Sequence, residues 1–377
     1  MKVLLVTFEF PPRRGGMENY YYNLLRHQAD FEGVVLTMPQ PQAESFDRRQ
    51  NFKIIRRPLL SSVFWPRWIK LSWLIARTVK REKIDRLWVG DVLPVGAAVW
   101  LLKKFYKIRY FVSTHGLDIM LPQKSLSKEK LMLKVLAGAE FITANSQFTK
   151  KELLNLQLPA DKIAVIYPGA AVLDRPMDNS EKIFALKNKL SLSGKTVLLT
   201  VGRLVKRKGQ DKVIEAMLSL LKQRPDLVYL IVGDGPEKPY FQSLIDNFKL
   251  NDRVKIVANV SNEDLPYYYQ LADLFVLTAR NIDGDVEGFG LVYLEAAQFG
   301  LPAVAGRSGG AKEAVLDGQT GLLADPESSE DISRKILRLL TDQPLYAKLS
   351  QTAKLRVARE FNWPVQARLL AERIKQF

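Results

Sequence analysis

Short runs rich in valine, isoleucine and leucine recur along the chain, separated by longer segments whose apolar residues return every three or four positions. The runs read as strands buried on both faces and the longer segments as crossover helices, which together predict a parallel α/β fold. Strands are predicted at residues 3–7, 33–36, 53–56, 86–89, 109–113, 141–144 and 162–166, the last closed by the turn Tyr167-Pro168-Gly169. A second series follows at 196–201, 228–232, 254–256, 274–277, 303–305 and 321–323. Between them, residues 171–180 lack periodicity and read as a linker. The pattern predicts two Rossmann-like, doubly wound domains, 1–170 and 181–360, with a cleft facing the C-terminal strand ends of both. Phe361-Asn362-Trp363-Pro364 breaks the last helical stretch, because proline cannot continue an upstream helix, and residues 361–377 are expected to return to the first domain.

One segment departs from this pattern. Residues 63–83 interleave Trp65, Trp68 and Trp73 with Arg67, Lys70, Arg77, Lys80, Arg81 and Lys83. With a helix starting at Pro66, the residues Ile69, Trp73, Ala76 and Lys80 share one side. Such a helix is either a packed crossover with a solvated basic face or an element lying on an anionic membrane, its tryptophans at headgroup level.

Charge bears on that choice. The net charge of +16 is uneven: residues 1–180 hold 28 Lys+Arg against 16 Asp+Glu, and the remainder 28 against 24. An anionic partner is therefore expected at the first domain. The basic residues are scattered among crossover helices without a nucleic-acid motif, so no nucleic acid is expected. Cysteine is absent, which excludes disulfides and thiolate metal sites and fits a reducing compartment. The opening MKVLLVTFEF is too short an apolar run for a signal peptide, and no stretch of about 18 apolar residues predicts a spanning helix. The expected location is cytoplasmic, peripheral at the inner membrane face.

Candidate chemistry gathers at predicted strand ends. Glu287 and Glu295, with seven residues between them, flank Gly288, Phe289, Gly290 and Leu291. The first carboxylate lies in a loop and the second on a helix whose N-terminal amides attract anions, an arrangement suited to a hydroxyl-rich, phosphorylated ligand. Arg203, Lys206, Arg207 and Lys208 follow a strand end and Gly202, beside a helix start, and read as a pyrophosphate site. Gly15 and Gly16 precede a helix near Met17, allowing close backbone approach to a ligand; the alternative is a glycine pair needing positive φ. A dinucleotide fingerprint is incomplete there, since the third glycine is missing. His115, one of two histidines, lies just past a strand end; His27 sits inside a helix and reads as structural. Asp283-Gly284-Asp285 has the look of a metal-binding pair, but the neighbouring cations already supply positive charge, and no metal is expected.

Together the Gly-Gly loop, the Thr-His-Gly turn, ANSQFTKKEL, GRLVKRKG, VGDGP, the Glu287/Glu295 segment and the terminal Trp-Pro break resemble the retaining GT-B glycosyltransferases of family four. Within that family, FPPRRGGMENY and GLPAVAGRSGGAKEAV look most like bacterial phosphatidylinositol-mannoside and related lipid- or polysaccharide-directed mannosyltransferases. The resemblance implies that the first domain binds the acceptor and the second the nucleotide sugar. It implies that Arg203 and Lys208 bind the donor diphosphate without a metal and that Glu295 meets the ribose. It further implies that Glu287 and the amides from Gly288 to Leu291 hold the sugar, that His115 contacts it, and that Gly16 meets the diphosphate. Asp118 stands where relatives often carry glutamate, and its role is open. The expected donor is GDP-mannose, with a UDP-sugar as the alternative and a nucleotide-sugar epimerase as a more distant one. The expected acceptor is lipid-linked or a glycan.

Overall fold

Among the described residues, thirteen strands lie where the apolar runs predict them, in two all-parallel sheets. The computed structural model describes residues 1–13, 15–61, 66–106, 108–170 and 180–377. The chain divides into two units, Met1–Gly169 with Phe361–Phe377, and Ala170–Glu360. Of the linker read at 171–180, only Ser180 lies among the described residues.

In the first unit the strands are β1 (Lys2–Val6), β2 (Glu32–Thr37), β3 (Lys53–Arg56), β4 (Arg86–Val89), β5 (Arg109–Thr114), β6 (Ile142–Ala144) and β7 (Ile163–Val165), in the order β3-β2-β1-β4-β5-β6-β7. Side chains alternate across the sheet, so both faces need apolar cover. Leu4 and Val6 join Leu71, Ile75, Val95 and Leu136 on one side. Val3 and Leu5 join Tyr21, Phe111, Trp363 and Leu370 on the other. The winding direction reverses between β1 and β4, and there Asp91 accepts the Phe8 amide at 2.9 Å, tying the two outgoing loops together.

The helix Trp363–Gln376 completes that second face. Asn362 caps it by accepting the Val365 amide at 2.9 Å, with Pro364 in the first turn, where its missing N–H is harmless. Gln366 accepts the Tyr167 amide at 2.9 Å, fastening the helix beside β7.

The tryptophan-rich segment forms the helix Ile69–Glu82, which starts three residues later than the Pro66 start read from the sequence. Leu71, Leu74 and Ile75 pack inward, while Ile69 and Trp73 are 48% and 57% exposed. Ile69, Trp73 and Lys80 of the stripe recognised in the sequence therefore lie on the solvent side of a packed crossover helix, while Ala76 packs partly buried against the core. Trp68 packs partly buried against the core, and Val63, Phe64 and Trp65 lie outside the described residues. Among the described residues, no helix is long and apolar enough to cross a membrane.

The second unit holds β8 (Thr196–Val201), β9 (Leu227–Val232), β10 (Val254–Val257), β11 (Leu274–Leu277), β12 (Ala303–Gly306) and β13 (Gly321–Ala324), in the order β10-β9-β8-β11-β12-β13. Its reversal falls between β8 and β11, so the loops leaving those two strands diverge from one crevice edge.

Candidate active site

The loop leaving β8 carries the cations and the loop leaving β11 the acids. Lys206–Lys208 is a single 3-10 turn, closed by Gly209 in the left-handed region at φ 73°. A Cβ at Gly209 would lie 2.2 Å from the Thr278 carbonyl oxygen, so only glycine lets the turn press against the end of β11. The turn points Arg207 and Lys208 at Glu287. Arg207 donates to Glu287 Oε2 at 2.8 Å and reaches Asp285 at 3.1 Å, and Lys208 Nζ donates to the same Glu287 oxygen. Burial works against the Glu287 charge, but Lys208 and Arg207 outweigh it and hold its carboxyl down to about 2. Glu287 is therefore ionised at neutral pH.

Gly202 lies beneath Lys208, whose Cε would be 3.7 Å from a Cβ there. Arg203 is exposed and has no carboxylate partner among the described residues. Beyond Glu287, Gly288 and the buried Phe289 lead into Gly290, which takes φ 91° and starts the helix Leu291–Gln298 without a side-chain cap. No capping side chain covers the backbone at the N-terminus of this helix, the kind of position that attracts anions. Glu295 is buried on that helix, and Tyr269 donates to its Oε2 at 2.7 Å. Burial pushes the Glu295 carboxyl up, against the Tyr269 hydroxyl and Lys208. The two glutamates thus occupy unlike settings, one ion-paired and one beside a phenol. Asp285 is taken by Arg207, and among the described residues no group of three or more acidic or imidazole side chains could hold a metal ion.

In the first unit, Gly15 is extended at φ 175°, which any residue adopts, so the positive-φ explanation for the pair is set aside. A Cβ at Gly15 would meet the Glu18 carboxylate at 2.1 Å, a contact that the flexible Glu18 side chain would have to yield. Gly16 opens the helix Gly16–His27, without a side-chain cap. His27 donates its Nδ1–H to the Asn23 carbonyl at 2.9 Å within its own helix, as a structural histidine does.

His115 follows β5 and stacks edge-on to Tyr20 and Tyr21, its Nε2 2.8 Å from the Tyr21 hydroxyl. The Tyr21 hydroxyl donates its one proton to the Gly90 carbonyl. Its oxygen therefore accepts from His115 Nε2–H, which leaves Nδ1 of the neutral ring as an acceptor. Burial lowers the His115 imidazole to about 4, so the ring is uncharged at neutrality. Asp118 accepts the His115 backbone amide at 2.9 Å, while its second oxygen is buried without a hydrogen-bond partner. Burial raises Asp118 to about 6 and Asp91 to about 7.

Arg207, Tyr269 and Tyr21 are contacts that spacing alone does not mark. Arg207 is one of three adjacent cations with equal claims in the sequence, and the two tyrosines reach partners far along the chain.

Known proteins give this geometry its context. Residues 182–356 match the family model described as Glycosyl transferases group 1, and residues 14–172 that of Glycosyltransferase Family 4. The chain is 30% identical, over 98% of its length and 96% of the relative's, to a GDP-mannose-dependent monoacylated alpha-(1-6)-phosphatidylinositol monomannoside mannosyltransferase of Corynebacterium glutamicum. The chain belongs to the family 4 glycosyltransferases.

A second relative of this glycosyltransferase is the GDP-mannose-dependent alpha-(1-6)-phosphatidylinositol monomannoside mannosyltransferase of Mycolicibacterium smegmatis, 28% identical over 98% of this chain and 97% of that one. Its fold is that of Anabaena HepE, solved with UDP and glucose, at a TM-score of 0.83, with 22% identity and full coverage of both chains. The enzyme is thus a GT-B hexosyltransferase built of two Rossmann-like units.

Proposed function

We propose that this glycosyltransferase moves mannose from GDP-mannose to a lipid-linked or glycan acceptor with retention of configuration. The observation that carries the proposal is the meeting of Lys208, Arg207 and Glu287 where the β8 and β11 loops diverge. The near full-length likeness to two enzymes named for GDP-mannose supports the choice of donor.

In this reading the donor diphosphate lies on Arg203, Lys208 and the amides at the start of Leu291–Gln298, with no metal ion. Charge develops on the leaving diphosphate as the glycosidic bond breaks, and fixed cations stabilise it most in the transition state, by several kcal/mol. Glu287 and the amides from Gly288 to Leu291 hold sugar hydroxyls, and Glu295 meets the ribose. His115 receives a sugar hydroxyl on Nδ1 as a neutral acceptor, and Gly16 approaches the diphosphate. The donor phosphate itself takes the proton of the attacking hydroxyl, so no side-chain base is required.

The acceptor side belongs to the basic first unit, which is proposed to touch an anionic inner membrane face. Trp73, exposed beside Lys70, Arg77 and Arg81, has the composition of such a contact.

A panel of GDP- and UDP-sugars, with released nucleotide measured, tests the donor. Release of GDP from GDP-mannose only when acceptor is present supports the proposal. Turnover confined to UDP-sugars rejects the mannose assignment, and isomerisation of a donor without acceptor would make the enzyme an epimerase.

A further inference from the structure

Beneath the Arg207-Lys208 turn lies an ion pair outside the proposed donor contacts. Asp211, in the first turn of the helix Gln210–Gln223, accepts from Arg280 at 2.7 Å, and both side chains are buried. Arg280 also reaches Glu327 at 3.3 Å. From the same residue the backbone amide donates to the Arg207 carbonyl at 2.8 Å, and two residues earlier Thr278 Oγ1 donates to the Gly209 carbonyl at 3.0 Å. The segment that presents both cations to Glu287 is therefore gripped from below by the exit of β11.

As a stabilising device this pair is poor. Arg280 Nε and Asp211 Oδ1 are buried without hydrogen-bond partners. An incompletely satisfied buried ion pair is often no better for stability than apolar side chains of similar size. What it supplies is direction, because a planar guanidinium meets a carboxylate in few orientations. We infer that Asp211 and Arg280 are positioning residues for the donor site: their buried pair fixes the height and angle of the Arg207-Lys208 turn, and so the place of Lys208 opposite Glu287. The inference rests on the proposed binding of the donor diphosphate by Lys208.

The test measures affinity for the nucleoside diphosphate that the wild type releases, GDP or UDP, by titration calorimetry on the full chain. The proteins are wild type, Lys208→Ala, Arg280→Met and the combination of the two. Displacing a charged group by about an ångström can weaken its effect by up to about 10²-fold, so Arg280→Met should weaken binding about tenfold in the wild-type background. In the Lys208→Ala background it should weaken binding less than about twofold, because the group being positioned is gone. Equal losses in both backgrounds, or wild-type affinity in a folded Arg280→Met protein, would overturn the inference.

Should Arg280→Met unfold by stranding Asp211, the paired change Asp211→Leu with Arg280→Met removes both charges and takes its place. It must show the same loss, with the same dependence on Lys208. Wild-type affinity in Lys208→Ala alone would mean that the donor-site reading itself fails, taking this inference with it. Loss in Lys208→Ala without loss in the Arg280 variants rejects the positioning role alone.

Discussion

The two units share a winding scheme yet furnish their switch points with opposite electrostatics. In the second unit, buried Glu287 is kept ionised by Lys208 and Arg207. In the first, Asp91 and Asp118 are pushed toward their neutral forms and His115 is held uncharged, all three mainly by burial. Burial penalises charge in both places, and a nearby counter-ion decides the outcome. The contrast fits the division of labour proposed for the enzyme. A crevice edge with fixed charges suits a diphosphate and its departure, whereas one with neutral donors and acceptors suits sugar hydroxyls, which carry no charge to be repelled.

Removing a charge from the paired side should have the largest effect. Lys208→Ala and Glu287→Ala are each expected to lower kcat/KM for the donor by about 10²–10³ while circular dichroism stays native, because both lie at strand exits rather than in an apolar core. Near-normal turnover by either would erase the contrast at its strongest point.

The pH dependence of stability separates the units next. Asp91, raised to about 7, binds its proton more tightly folded than unfolded, so its contribution favours the folded state at low pH and is lost as pH rises through 7. Asp91→Asn should therefore gain stability relative to wild type, by on the order of 2 kcal/mol, between pH 4.5 and 7.5 in urea titrations. Glu287, lowered to about 2, has the reverse sign: its contribution is present above the ordinary carboxylate range and is lost as pH falls through 2. A flat difference curve for Asp91→Asn would show that its carboxyl is ionised like that of Glu287.

Smaller effects sharpen the first unit's side. Tyr21→Phe removes the oxygen that accepts from His115 Nε2–H, and transfer should slow by up to about tenfold, in proportion to one lost hydrogen bond. An unchanged rate would separate His115 from the chemistry. The smallest change is expected from Trp73→Ala, which should reduce pelleting with anionic vesicles by about fivefold at low salt. Trp68 is a poor choice for that experiment, since it packs against the core.

The fold was legible because strands buried on both faces demand short apolar runs, and each run read as a strand forms one, whereas the run at 95–102 lies in a helix. The entry to Ile69–Glu82 was less so: Pro66 tolerates a helix start but does not compel one, and the chain makes a further turn before the helix begins. At the site, types and neighbourhoods were readable while partners were not. The three cations after Val205 look alike in sequence, and which of them meet Glu287 is set by the turn that Gly209 closes and the exit of β11 holds. Tyr269 reaches Glu295 from 26 positions away and Tyr21 reaches His115 from 94, distances over which no periodicity carries information. For the Gly15-Gly16 pair only the positive-φ alternative is set aside, because Gly15 is extended, a conformation that no local pattern announces.

The helix Trp363–Gln376 has a consequence for biogenesis. It covers Val3, Leu5 and Tyr20, yet it is translated only after all of Ala170–Glu360. The unit that emerges first from the ribosome is thus finished last, and until then that face of its sheet has only part of its apolar cover, from the helix Gly16–His27.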